Sequence, residues 1–379
     1  MNIGCDGRAL VGPRTGVGTW TEQVMGGLAG SDIGRVFVAA SKAVDLDAVG
    51  NRDNLTAVPA PKWPNVGPVW LNSTVPRLAR RLELDVWIGS LAILPWNSPV
   101  ATVSMVHDLT PRTHSHRHTV ANRIVFRLFL ERSLRTAHSV VAGSDATRNE
   151  ILSAFPWVEP KLERIGYGVD GWFSPAPPGD EGAATRERFA GGRPYVLHLG
   201  TIEPRKGISD LVAAWEALAR GPAGAPDLVI AGKKGWHTGP ILERIEASSF
   251  AERIHMPGYV GREDARELLR HAAVFVLASE AEGFGLPLAE AVSCGTPAVA
   301  SDIPVLRETG GDAALYSPVN DPAALAAALA AALEPYVATR LRARAAVRAP
   351  GLRWEPVVDA WAGLLERVVA CLLYTSPSP

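Results

Sequence analysis

Two glutamates, Glu282 and Glu290, stand eight positions apart on either side of GFGLPLA in the stretch SEAEGFGLPLAEA (Ser279 to Ala291). An apolar run, VFVLAS (Val274 to Ser279), leads into this stretch and a second, PAVASD (Pro297 to Asp302), follows it. The acids therefore belong to the end of a buried strand rather than to a solvated helix face. Upstream, IEPRKG places Glu203, Arg205 and Lys206 directly after YVLHLGT (Tyr195 to Thr201), and KGW follows DLVIAGK (Asp227 to Lys233), giving Lys233, Lys234 and Trp236. Two cations just before a helix, beside its unpaired backbone N–H groups, suit a phosphate. The glycines after Glu282 let a ligand approach the backbone, and Pro287 starts a helix cleanly. Three strand ends thus converge on one anion-binding mouth.

The elements that must position these residues follow an alternation of short β-branched runs with helical stretches, the pattern of parallel sheets covered by helices on both faces. It occurs twice. The first set of strands is NIGCDGRAL (Asn2 to Leu10), VFVAAS (Val36 to Ser41), DVWIGS (Asp85 to Ser90), ATVSMVHD (Ala101 to Asp108) and SVVAGS (Ser139 to Ser144). The second is YVLHLGT, DLVIAGK, RIHMPGYV (Arg253 to Val260), VFVLAS and PAVASD. Between them the texture changes to proline, glycine and charge at Ser174 to Pro194, as in a linker. With 379 residues, two domains are expected. The boundaries read as 1–173, a linker 174–193, a second domain 194–352, and a helix 353–370 packing back toward the first domain. The fold class is α/β, with two Rossmann-like doubly wound domains facing a central cleft.

Composition excludes several classes. The 38 basic and 39 acidic residues nearly cancel, so no global field recruits nucleic acid and any anion site is local. No stretch of about 18 apolar residues would span a bilayer, and MNIGCDGRAL lacks the features of a secretory signal. A cytoplasmic protein is expected. The three cysteines lack metal-type or CxxC spacing, so Cys5 and Cys294 read as small core residues. The last nine residues, CLLYTSPSP (Cys371 to Pro379), match the translation of codons resembling a transposase adapter used in sequencing libraries, so the native chain is expected to be cut at or near Ala370.

These motifs together resemble the retaining glycosyltransferases of family 4, which have the two-lobed GT-B fold. The resemblance is carried by GTIEPRKG, AGKKGW, EGFGLPLAE and CGTPAVASDIPVLRETGGDAALYSP, and in the first half by RALVGPRTGVG (Arg8 to Gly18), VHDLTP (Val106 to Pro111) and IGYGVD (Ile165 to Asp170). The sequence departs from the family pattern at Gly207, where asparagine is frequent, and at Ala278, where proline is usual. The resemblance implies a donor site for a nucleotide-diphosphate sugar. Glu290 would accept hydrogen bonds from the ribose hydroxyls. Glu282 would lie near the sugar, and Arg205 and Lys206 would neutralise the leaving diphosphate, with N–H groups of Gly283, Phe284, Gly285 and Leu286 at the helix start. Thr201 joins this donor-binding set. His107 would sit beneath the sugar, and Gly16 and Gly18 would bring the backbone close to diphosphate or acceptor.

The implied reaction is retaining transfer of a hexose to a glycan or lipid-linked saccharide, with mannose from GDP-mannose as the specific expectation and a GDP-sugar preferred to a UDP-sugar. Retention by same-face attack needs no pair of carboxylates at glycosidase spacing. No metal or other cofactor is expected: the D-x-D at Asp45 to Asp47 lies away from the mouth, and His114, His116 and His118 in RTHSHRH read as a loop on the acceptor side. The basic and apolar segment 121–138 reads as a helix packed on the first sheet, with peripheral contact to an anionic membrane as the alternative. A nucleotide-sugar epimerase of the same architecture and a degenerate sugar-nucleotide binding module are the other readings of the whole chain.

Overall fold

The computed structural model describes residues 1–12, 14–40, 44, 53–59, 67–109 and 129–375. Each of two units is built on its own parallel sheet. One comprises Met1–Gly168 with Trp354–Pro379, the other Val169–Arg353. The first boundary thus falls five residues before the expected one, beside Leu352, whose carbonyl accepts from the Val169 amide at 2.6 Å.

The sheet of the first unit runs β3-β2-β1-β4-β5-β6-β7, with β1 Asn2–Asp6, β2 Arg35–Ala40, β3 Leu55–Pro59, β4 Val86–Gly89, β5 Ala101–Val106, β6 Ser139–Ala142 and β7 Leu162–Arg164. The second runs β10-β9-β8-β11-β12-β13, with β8 Tyr195–Leu199, β9 Asp227–Ala231, β10 Ile254–Gly258, β11 Val274–Leu277, β12 Ala298–Ser301 and β13 Ala314–Ser317. Every paired strand is parallel. Strands of such sheets are covered on both faces, which is why β9, β11 and β12 are buried at every position, with Asp227 and Ser301 their only polar members. In both sheets the order reverses beside the first strand, between β1 and β4 and between β8 and β11. Ligands of doubly wound folds bind outside the carboxyl ends at that reversal.

Three strands escape the sequence reading. β3, β7 and β13 are edge strands, and β7 is only Leu-Glu-Arg. An edge strand buries one side, so it lacks the continuous apolar run that marks the central ones.

The expected linker 174–193 is corrected as well. It belongs to the second unit and contains the helix Ala183–Ala190, flanked by left-handed Gly182 and Gly191. Its prolines and glycines mark irregular ends, while the AATRERFA between them is helical. Arg188 binds Asp264 through two hydrogen bonds at 2.5 and 2.9 Å, and Arg270 holds the Ser174 carbonyl at 2.7 Å.

The helix Trp354–Thr375 lies in the first unit against the helix Gly16–Ala29, and it runs on past Ala370. Trp361 meets Trp20 edge to face at 5.2 Å between centroids. Gly27 allows the close approach, because a Cβ there would come within 2.3 Å of the Val358 side chain. No single helix among the described residues is long and apolar enough to cross a membrane.

Candidate active site

At the reversal point of the second sheet, the chain leaves β8 through Gly200 and enters the 3-10 turn Pro204–Lys206, while it leaves β11 through Ser279 toward Glu282. The first exit is held by the neighbouring one after β9: the Ile202 amide donates to the Lys233 carbonyl and the Gly235 amide to the Ile202 carbonyl, each at 2.9 Å. The glycines of AGKKGW make this possible. A Cβ on Gly232 would lie 1.8 Å from the Gly200 carbonyl oxygen, and one on Gly235 would lie 2.8 Å from Thr201 Cγ2.

The exits from β8 and β11 are joined by charge. Lys206 Nζ donates to Glu282 Oε1 at 2.6 Å, and the Ser279 hydroxyl donates to the same oxygen at 2.7 Å. Arg205 Nη1 lies 3.4 Å from Glu282 Oε2 and also donates to the Ala281 carbonyl. On its other side Arg205 gives Nε and Nη2 to Glu203 Oε1 at 3.1 and 2.7 Å. Glu203 is buried, and the side chains of Lys206 and Glu282 are each 9% exposed. Burial alone would raise the Glu282 carboxyl, but the charges of Lys206 and Arg205 and the two hydrogen bonds outweigh it and hold it at about 2. Two cations and two carboxylates therefore form a locally balanced cluster, with both cations held at the reversal point.

Glu290 lies in a contrasting environment. It sits on the helix Leu286–Ser293, which starts after left-handed Gly285, where a Cβ would strike Leu306 Cδ2 at 2.4 Å. The Phe284 carbonyl just before it accepts from the Thr309 hydroxyl. Burial pushes the Glu290 carboxyl up to about 8, opposed only by the charge of Arg262. The shift favours the protonated side chain when the site is empty, so an ionised ribose acceptor would have to lose that proton on binding.

His198 lies under this cluster. It is fully buried in β8, its Nδ1 donates to the Val276 carbonyl at 3.3 Å, and its Nε2 has no hydrogen-bond partner. Burial, then the nearby Lys206, lowers its pKa to about 4, so the ring is neutral. Sequence reasoning passed over both His198 and Ser279. Ser279 had a signal, since it stands three residues before Glu282; a histidine inside an apolar strand had none.

The first unit ties its reversal point together differently. Arg8 grips Asp6 with Nε and Nη2, and the Ser90 hydroxyl donates to the Asp6 carbonyl at 2.6 Å. His107, directly after β5, gives its Nε2 proton to the Ser90 carbonyl at 2.7 Å and receives the Tyr167 hydroxyl at Nδ1. Trp20 covers the ring edge to face at 5.2 Å. Burial lowers the His107 pKa to about 4. Both ring nitrogens are thus engaged by protein, so the side chain must release one partner before it can reach a sugar hydroxyl.

The two glycines of the first loop also separate. Gly16 is exposed with open space where a Cβ would stand, whereas a Cβ on Gly18 would lie 2.7 Å from the Ala9 carbonyl oxygen. The need for glycine at 18 is internal packing. Asp45 to Asp47, His114, His116, His118 and the loop Pro111 to Val120 lie outside the described residues, as does 121–128. Of the remainder of that segment, Leu130 and Leu134 are buried in the core of the first unit, while Arg132 and Arg135 stack on Trp96 and Trp157.

Two parallel doubly wound sheets, one with paired cations and acids at its reversal point, define the GT-B class of glycosyltransferases. Residues 183–349 match the family described as glycosyl transferases group 1. The chain is 30% identical over 257 residues to the O-antigen chain mannosyltransferase B of Escherichia coli, covering 67% of each protein. It is 33% identical over 243 residues to the GDP-mannose-dependent alpha-(1-6)-phosphatidylinositol monomannoside mannosyltransferase of Mycolicibacterium smegmatis, covering 60% of this chain and 61% of that protein. Among solved structures, Anabaena HepE in complex with UDP and glucose superposes with a TM-score of 0.78 at 18% identity, over 97% of this chain and 99% of that one. The protein belongs to the group 1 glycosyltransferases. Nothing in these similarities favours an epimerase or a degenerate binding module.

Proposed function

We propose that this glycosyltransferase moves a mannosyl group from GDP-mannose to a saccharide or lipid-linked saccharide, with retention and without a metal in the transfer step, at the cytoplasmic side of a membrane. The observation that supports the reading is the joining of Arg205 and Lys206 to Glu282 at the carboxyl ends of β8 and β11. A diphosphate arriving there meets two cations already extended by Glu203 and Glu282, so little side-chain entropy remains to be lost on binding. As the sugar bond breaks, negative charge builds on the leaving phosphate, and fixed cations stabilise that change more than they stabilise the bound donor. The phosphate can then take the acceptor's proton on the same face.

In this reading Glu282 holds the two cations and faces the sugar hydroxyls, while Glu290 takes the ribose and gives up its proton as the donor binds. Gly283 to Leu286 supply the helix start, and Thr201 borders the mouth. The choice of GDP-mannose follows the naming of the relatives, two of which are mannosyltransferases.

The experiment is calorimetric titration of the metal-free protein with GDP, UDP and ADP and then with the matching sugar nucleotides, followed by product analysis with a radiolabelled donor. Selective binding of GDP and GDP-mannose, lost in Arg205→Ala, is expected. Selective binding of UDP would replace the donor, and inversion at the anomeric carbon of the product would overturn retention.

A further inference from the structure

Away from the junction of β8 and β11, the second unit holds three side chains spaced like the ligands of a divalent cation. Glu267 and His271 stand four apart on the helix Arg262–His271, so they share one face. Asp180 reaches them from the turn before the helix Ala183–Ala190. His271 Nε2 lies 3.4 Å from Asp180 Oδ2 and 3.5 Å from Glu267 Oε2, and one ligand atom from each residue lies within 4.8 Å of the other two. Ligands about 2.0–2.2 Å from a tetrahedral zinc ion are separated by edges of roughly 3.3–3.6 Å. Two of the three separations have that length, which is too long for a good hydrogen bond.

The remaining oxygen of each carboxylate is already in use. Asp180 Oδ1 accepts from the Gly182 amide at 3.0 Å, and Glu267 Oε1 accepts from Arg266 Nε at 2.8 Å and Arg270 Nη1 at 3.1 Å. These contacts orient the carboxylates as outer partners orient metal ligands. The imidazole is fixed as well. Gly182 has φ +69°, and a Cβ there would come within 2.2 Å of His271 Cγ, so backbone lies directly on the ring. The His271 side chain is only 5% exposed, and its Nε2 makes no hydrogen bond. A buried ring nitrogen facing two carboxylate oxygens without a hydrogen bond is costly unless a third body sits among them. Asp180, 41% exposed, leaves an open side for water to complete the shell.

We propose that Asp180, Glu267 and His271 bind a divalent cation of the zinc class, through one imidazole nitrogen and two carboxylate oxygens. Two carboxylates balance its charge, and the nitrogen ligand favours zinc, cobalt or nickel over magnesium or calcium. The ion fastens the turn 180–182 to the helix Arg262–His271, and it takes no part in sugar transfer.

The test is equilibrium dialysis of the chelator-stripped full-length protein against zinc chloride, with bound metal counted by atomic emission. Wild type is compared with Asp180→Asn, His271→Gln and a variant carrying His114→Ala, His116→Ala and His118→Ala, since that run can bind zinc by itself. Circular dichroism checks each fold, and Asp180→Asn, at an exposed position, is the variant least prone to disturb it. We expect one zinc that survives in the triple variant and whose affinity drops at least tenfold in Asp180→Asn and His271→Gln. We also expect zinc to raise the melting temperature of wild type by several degrees and to leave those two variants unmoved. A cobalt(II) derivative should show the visible absorption of a low-symmetry site. No stoichiometric zinc, or zinc kept by Asp180→Asn and His271→Gln, would overturn the proposal and leave His271 as an ion-paired histidine.

Discussion

Gly207 packs its Cα against the carbonyl of Ala278: a Cβ at 207 would lie 2.1 Å from that oxygen and 3.3 Å from the Ala278 Cβ. The two positions at which the sequence departs from the family's pattern are therefore neighbours, joining the turn after β8 to the end of β11. Gly207 also holds φ +62°, the left-handed conformation that starts the helix Ile208–Arg220. Gly207→Asn satisfies the backbone better than alanine would, yet both introduce the Cβ. Each should lower stability by about 1–3 kcal/mol through forced displacement of the β11 exit. Urea denaturation of the two variants measures this, and wild-type stability in both would show that the exit yields freely.

Lys206→Ala removes a charge that meets both Glu282 and the proposed diphosphate. Loss of one charged hydrogen bond, about 1.5–3 kcal/mol, should lower turnover efficiency ten- to a hundredfold or more. Stability should fall too, by up to about 3–5 kcal/mol, because a carboxylate buried with its partner at 2.6 Å is left with only Arg205 at 3.4 Å to balance its charge and the neutral Ser279 hydroxyl. The double variant Lys206→Met, Glu282→Gln should recover most of that stability and none of the activity. A double-mutant cycle decides it: additive losses of stability would mean that the pair is uncoupled.

Glu290, raised to about 8, gives a pH signature of definite sign. Between its unfolded value near 4.5 and 8, the folded chain keeps a proton that the unfolded chain has released, so stability declines as pH rises through this window. Glu290→Gln should remove the decline and melt higher than wild type at pH 8.5, while the two converge near pH 4.5. Parallel melting curves of the two proteins across this range would show that Glu290 is ionised in the fold.

The acid side has the opposite slope. His107 and His198 are lowered to about 4, and Glu282 to about 2. Each contributes stability that is present above its unfolded value and lost as pH falls, between roughly 6.5 and 4 for the histidines and below about 4.5 for Glu282. His198→Gln, which keeps polar volume without a proton to gain, should flatten the limb between pH 6.5 and 4 and leave the region above 7 unchanged. An unaltered limb would assign the loss to other groups.

Tyr167→Phe tests the hold on His107. Removing the hydroxyl leaves the buried Nδ1 without its donor, at a cost of about 1–3 kcal/mol, and frees the ring to turn. If the ring must release a partner to reach the sugar, this variant should lose stability yet keep, or slightly raise, kcat. A fall in kcat with unchanged KM would instead assign Tyr167 to positioning His107 for transfer.

The sequence by itself determined that two parallel α/β sheets form, because VFVL, the LVIA of β9 and the VVA of β6 are continuous apolar runs, and only a strand covered on both faces needs that. It also determined that Arg205, Lys206, Glu282 and Glu290 follow the ends of β8 and β11 in order. Edge strands such as β7 and the helix Ala183–Ala190 stayed illegible, the first because its burial is one-sided, the second because glycines at both its ends read as linker. Only the tertiary structure decided what the acids are. Glu282 and Glu290 are the same residue type within one motif, but one has Lys206 and Arg205 against its carboxylate, while burial of the other is opposed only by the charge of Arg262. Protonation depends on the charges and solvent within a few ångströms, and those come from residues up to 76 positions away. The strand order that brings β8 beside β11, rather than local spacing, sets them.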